Sequence, residues 1–337
     1  MRRTEYDLCR LLGCLAVLVI HTGSEVYHVL SLEGADFAVY NFISTAVRGG
    51  VPLFFMLSGA LLLSREEMDL RHMLVRHALY LTGIFYLWSL LYALLRLATG
   101  GLSGAGAFLT AVVTGHYHLW FLPAMVLCYL FMPVVHAAIH GKKLDSRYLV
   151  GLFLFLGIFL ANCNLTPDPA PLLYRFTRNF SLDYLPYLGY AVWGWWLAEK
   201  SWPKKTLWLA PLAFLAVTLL AARGNRWYSA TRETAEGWLF SYFSLPSFLQ
   251  ATAAFCFCLA LRGHSFRYPR LWQELSDAAL GVYLIHPLIL NVFKRFGFAV
   301  TRDAPTSSLL LVCAALALSC FALVLAARRI PFVRRLL

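Results

Sequence analysis

Apolar residues run along this chain in stretches of about twenty, separated by short polar clusters. A helix of about twenty apolar residues crosses the hydrocarbon core of a bilayer, and a helix satisfies its own backbone there. Ten such spans are expected: Leu8–Leu30, Val47–Leu63, Leu74–Ala98, Leu119–Ile139, Tyr148–Cys163, Leu182–Ala198, Thr206–Ala222, Leu239–Leu261, Asp277–Phe296 and Ser308–Ala327. The fold expected is all-α, a polytopic membrane bundle of about ten transmembrane helices, read as one integral membrane domain over residues 1–337. Gly100–Gly106 and Phe108–Val113 read as a loop with a partial helix. Arg2 and Arg3 precede the apolar stretch Leu11–Ile20, but no small-x-small cleavage site follows, so this stretch reads as a retained first helix.

Composition sharpens this picture. The 337 residues are 60% hydrophobic and 14% charged, against roughly 45–50% and 25% in soluble proteins. Disordered chains, disulfide-stapled miniproteins and ordinary cytosolic enzymes are excluded, and there is no Walker loop or dinucleotide fingerprint. The net charge of +12 would suggest nucleic acid on a soluble domain; here it marks cytoplasmic loops facing anionic membrane lipids, with no nucleic-acid partner expected. Nineteen of the 29 Lys and Arg residues fall in the N-terminus and every second loop, ten in the remainder. That asymmetry predicts cytoplasmic termini. Arg175, Arg178, Arg223, Arg226 and Arg232 are expected on the outer side, either as solvated loop charge or lipid contacts or to meet an anionic acceptor. The eight cysteines form no CxxC pair, so they read as packing residues rather than metal ligands, and no metal is expected.

Ionisable side chains within a span are costly and point to function. The first helix carries Asp7, just before its apolar span, with Arg10, His21 and Glu25 within it. Eleven residues separate Arg10 from His21, three helical turns plus about 20°, so they share a face about 16 Å apart along the axis. Asp7, one turn before Arg10, is placed to fix the guanidinium, and Glu25, one turn after His21, to orient the imidazole. An arginine fork binds phosphate, and a histidine accepts a proton from a hydroxyl near neutral pH. A donor with phosphates at one end and a reactive group on a long arm, such as an acyl-coenzyme A, fits this spacing.

Other spans hold further candidates. In the second, Pro52 and Gly59 loosen the helix and Ser58 either satisfies freed backbone or meets a ligand, the alternative being close helix packing through small residues. The fourth opens on His116-Tyr117-His118-Leu119-Trp120, where an aromatic interfacial belt accounts for Tyr117 and Trp120 but less well for His118. The ninth holds His286-Pro287 at mid-membrane, which implies a kink with freed carbonyls.

Together, Arg10-x10-His21, the FFxxSG element Phe54–Gly59, HLWFLP at His118–Pro123 and YLIHP at Tyr283–Pro287 resemble the acyltransferase 3 family of integral membrane acyltransferases. Order and spacing agree from Tyr6 to about Arg295, and the nearest likeness is to the branch containing the enterobacterial common antigen O-acetyltransferase. The resemblance implies an O-acetyltransferase of the bacterial inner (plasma) membrane. It would move an acetyl group from cytoplasmic acetyl-CoA to a hydroxyl of an extracytoplasmic acceptor, a cell-surface glycan or its lipid-linked precursor. It implies Arg10 for donor positioning and His21 for catalysis, either as general base or as acyl carrier. Arg71 and Arg76 are expected beside the donor phosphates, although four residues separate them here where the family often has three. Ser58 is expected on the donor side, Glu25 with His21, and His118 and Trp120 toward the acceptor. The alternative is a transporter of a small solute such as an amino acid, which would also suit buried polar residues in a helical bundle.

Overall fold

The structure is a computed structural model and describes residues 3–32, 34–141, 150 and 182–335. Among these the architecture is helical throughout, built from α1 Thr4–Tyr27, α2 Ala35–Ala46, α3 Gly50–Leu62, α4 Leu70–Ala98, α5 Ala105–Thr114, α6 Phe121–His140, α7 Pro186–Ala198, α8 Thr206–Arg232, α9 Leu245–Ala260, α10 Pro269–Arg295 and α11 Pro305–Ala327. Seven runs are long and apolar enough to cross a membrane: α1, α2 with α3, α4, α6, α8, α10 and α11. The helices expected at Leu182–Ala198 and Leu239–Leu261 are shorter, with 13 residues in α7 and 16 in α9. Each is preceded by a 3₁₀ turn, Leu182–Tyr184 and Trp238–Phe240. The expected Tyr148–Cys163 span lies outside the described residues apart from position 150.

The second span differs from expectation. It starts at Ala35 rather than Val47 and turns at 47–49 before α3. The run α2 was not read as membrane helix because Asn41, Ser44 and Thr45 dilute its hydropathy. All three are buried, facing protein. Glycine at the end of the turn and at the first position of α3 has a steric reason. A Cβ on Gly49 would stand 2.8 Å from the Ala251 backbone nitrogen in α9, and one on Gly50 would stand 2.3 Å from Ala16 Cβ in α1.

The chain divides into two compact units, residues 1–57 with 200–337, and residues 58–199. In the first, α1, α10 and α11 pack around Cys14, Leu18, Ala278, Ala279, Val282, Leu316 and Cys320. Small residues at such seams let helix backbones approach closely. The described cysteines are free thiols, six buried and Cys313 half-buried. A second cluster around Tyr27, Phe37, Tyr40 and Leu309 joins α1, α2 and α11. In the other unit, Leu62, Leu63, Met73, Met132, Ala191 and Trp195 form the core. There His136 and His140 of α6 donate Nε2 protons to the Arg65 and Leu63 carbonyls, each at 2.8 Å. These histidines satisfy carbonyls that the end of α3 leaves without helical donors.

Candidate active site

Helix α1 runs unbroken from Thr4 to Tyr27, so the expected spacing of Arg10 and His21 is realised on one rod. Its neighbour α10 reads out which side faces inward. Arg10 Nη1 donates to Ser276 Oγ at 2.5 Å. Cys14 Sγ points at the Ala279 carbonyl at 3.9 Å. The His21 and His286 rings lie 5.0 Å apart, tilted by 39°, and Glu25 meets Lys294 at 2.6 Å. Residue numbers rise together on both helices, so α1 and α10 are parallel and in register from the Arg10 end to the Glu25 end. Asp7 is buried and reaches Arg10 at 3.6 Å, as the i,i+3 spacing predicts.

His286 was expected only as a kink residue. Pro287 has no N–H to give the carbonyl of Tyr283, four residues earlier. His286 Nδ1 supplies that donor at 2.7 Å. A carbonyl can only accept, so Nδ1 carries the proton and Nε2 is the accepting nitrogen of the neutral ring. The imidazole is fully buried, and the half-buried His21 lies against it. Two histidines from two helices thus meet where sequence reading placed one. The proline signal was visible; the pairing across 265 residues was not.

Glu25, expected to orient His21, is instead held by Lys294, whose Nζ donates to both carboxylate oxygens at 2.6 Å. Its side chain is 68% exposed, so the contact lies at the solvent-accessible end of the α1–α10 pair away from Arg10.

One turn and more beyond His21, Ser24, Tyr27, His28, Arg48, Trp238 and Phe240 line a cavity of about 440 Å³ that also takes in Tyr228 and Glu236. Tyr228 and Trp238 stack at 5.2 Å and 29°. The Arg48 guanidinium sits 3.9 Å over the Phe240 ring, with Nε donating to the Ser44 carbonyl. His28 Nδ1 donates to the Ala235 carbonyl at 2.9 Å, and the Tyr27 hydroxyl donates to Asn41 Oδ1 at 3.0 Å. Sequence reading missed this site, because Arg48 lies in the turn that precedes α3 and Trp238 and Phe240 come from the connection between α8 and α9.

The remaining candidates belong to the other unit. Ser58 is half-buried, its hydroxyl 3.7 Å from Met125 Sδ. Arg71 and Arg76 are exposed on α4. Between Met73 and Leu79 this helix is π-helical, the form that takes up one residue more per turn than an α-helix. That extra residue coincides with the spacing of four rather than three between the arginines. His118 is buried and shares a proton between Nδ1 atoms with His116 at 2.9 Å. The His116 ring stacks on Tyr92 at 4.2 Å. Burial, with the Arg96 charge adding to it, pushes the His116 imidazole down to about 4, so it is neutral at physiological pH. Trp120 is half-buried, stacked on Tyr184 at 5.9 Å and close to Tyr187 at 5.8 Å.

Residues 3–327, running through both units, match the acyltransferase 3 family, described as an acyltransferase domain. The chain is 26% identical over 313 residues to an amino-acid racemase of Enterococcus faecalis, covering 86% of this chain but 41% of that relative. The chain therefore spans less than half the length of this curated relative. No solved structure matches it. A helical membrane chain with this family match over nearly its whole length belongs to the acyltransferase 3 family.

Proposed function

We propose that this chain is an O-acetyltransferase of the bacterial inner membrane, taking acetyl groups from cytoplasmic acetyl-CoA and passing them to a hydroxyl of a cell-surface glycan or its lipid-linked precursor. The observation that carries this reading is the register of α1 on α10: Arg10 on Ser276 at one end and His21 against His286 about 16 Å further on. A phosphate held at Arg10 leaves a pantetheine-length arm free to bring a thioester to His21. The guanidinium suits that role because only part of its donor fork is taken by Ser276. Arg71, Arg76 and Ser58 are the further donor-side residues in this reading.

At His21 the imidazole removes the proton of the acceptor hydroxyl as its oxygen forms a bond to the thioester carbonyl carbon. The carbon–sulfur bond then breaks, and the coenzyme A sulfur takes the proton back from the imidazolium. His286 acts here as a positioning residue, its fixed tautomer presenting an accepting nitrogen in the ring that packs on His21. The aromatic cavity beyond Ser24 is the acceptor entrance. The polarised C–H face of a sugar ring packs on the electron-rich faces of Tyr228 and Trp238. Its volume is that of a small-molecule site. In the other unit, His118 and Trp120 are assigned to acceptor contacts.

The test uses the purified full chain in proteoliposomes, with radiolabelled acetyl-CoA on the N-terminal side and a glycan-lipid extract as acceptor. Label should move to the extract, and His21→Ala, folded and still binding coenzyme A, should lose at least the ~10²-fold typical of a missing general base. Amino-acid uptake with no label transfer would make the protein a transporter and overturn the reading.

A further inference from the structure

Between the first turns of α10 and the end of α11 lies a cavity of about 570 Å³ walled by Arg270, Arg328, Arg329 and Arg334, with Glu274 and Asp277. It sits at the same end of the α1–α10 pair as Arg10, since Asp277 is the residue after Ser276, to which Arg10 is bonded. Four guanidinium groups face two carboxylates, so the wall is net positive. One ion pair across it is long, Arg328 Nη2 to Asp277 Oδ2 at 3.9 Å. Arg328 Nη1 is buried with no hydrogen-bond acceptor. A buried charged N–H without an acceptor is an unfavourable arrangement that an entering anion relieves. Arg270, Arg329 and Arg334 are exposed and able to turn toward such an anion.

Guanidinium groups converging on one space suit a phosphate monoester, which carries close to two negative charges at neutral pH and accepts bidentate hydrogen bonds. Coenzyme A has such a group on its ribose, apart from the pyrophosphate that heads the pantetheine arm. We propose that this cavity seats the ribose 3′-phosphate of the donor, while Arg10 takes the pyrophosphate. The inference rests on the donor reading above and adds a second anchor on α10 and α11. With both anchors engaged, the donor nucleotide is held from two sides of α10, which fixes where its arm enters beside His21. The headgroup of an anionic phospholipid offers the same phosphate chemistry, and the experiment separates the two sources.

The full chain, purified in a detergent without anionic lipid, is titrated calorimetrically with coenzyme A and with dephospho-coenzyme A, which lacks only the 3′-phosphate. The wild-type protein should bind coenzyme A at least tenfold more tightly. The double variant Arg270→Gln/Arg329→Gln, its fold checked by thermal melting, should bind both compounds with the weaker affinity. Equal wild-type affinities would overturn the 3′-phosphate seat and leave the donor reading intact; binding of neither compound would remove the donor reading itself. A double variant that keeps the tenfold preference would also overturn the assignment, as would a variant that loses co-purifying phosphatidylglycerol in native mass spectra while keeping it. That last outcome would make the cavity a lipid seat.

Discussion

His286 gives its Nδ1 proton to the Tyr283 carbonyl, the group that Pro287 leaves without a backbone donor. A helix defect thereby sets the tautomer of the imidazole packed on His21. Pro287→Ala restores the missing N–H and competes with His286 for that carbonyl. The variant should melt at a higher temperature, since proline in a helix interior costs about 3 kcal/mol, and its kcat should fall several-fold with a displaced pH–rate profile. Unchanged kcat and profile would show that the tautomer has no part in the reaction.

Arg10 meets Ser276 and Asp7 at the entrance to this pair. Arg10→Ala should weaken binding of acetyl-CoA by about ten- to a hundredfold, the equivalent of about 1.5–3 kcal/mol for a hydrogen bond to a charged group. Arg10→Lys should lie between, because lysine keeps the charge and loses the planar fork. Calorimetry on folded protein measures both. Full affinity in Arg10→Ala would move the donor site elsewhere.

Glu25 and Lys294 pair at the opposite end, with side chains 68% and 32% exposed. An exposed pair contributes no more than about 1 kcal/mol, so Glu25→Gln should melt within a few degrees of wild type. Turnover should change by less than about tenfold, well short of the loss of a catalytic group. Exchanging the charges, Glu25→Lys with Lys294→Glu, should restore whatever stability the single change removes. A hundredfold loss of turnover in folded Glu25→Gln would return this carboxylate to the chemistry.

His116 predicts an acid response. Its imidazole is held down to about 4 by burial first and by Arg96 second, against about 6.5 in an unfolded chain. Between these values the unfolded chain binds the extra proton and the folded one does not. The contribution to stability is complete above about 6.5 and is lost as pH falls through 4. Melting temperature should therefore decline from pH 6.5 to 4. His116→Phe, which keeps a ring on Tyr92, should flatten that decline. An equally steep decline in the variant would assign it to other groups.

Local spacing carried the reading of α1, because the positions of Arg10 and His21 on one face follow from helix geometry alone. The same geometry placed Asp7 correctly beside Arg10. It failed for Glu25, whose partner lies 269 residues away and outcompetes a neighbour one turn back. It also failed for α2, where Asn41 donates to the Ala222 carbonyl and Gln250 to the Thr45 carbonyl. Polar groups satisfied by distant helices look like loop in a hydropathy trace and are core in the fold. The Arg71–Arg76 spacing was legible as a departure, while the π-helical turn that accommodates it was not.

The parallel register of α1 and α10 ties both ends of the site to a single rigid coordinate. Sliding α1 along α10 by one helical turn, about 5.4 Å, would take Arg10 off Ser276 and His21 off His286 in the same stroke. Under the proposed function, gripping the donor and arming the base become two consequences of one position, and a force that shifts either helix end would undo both together.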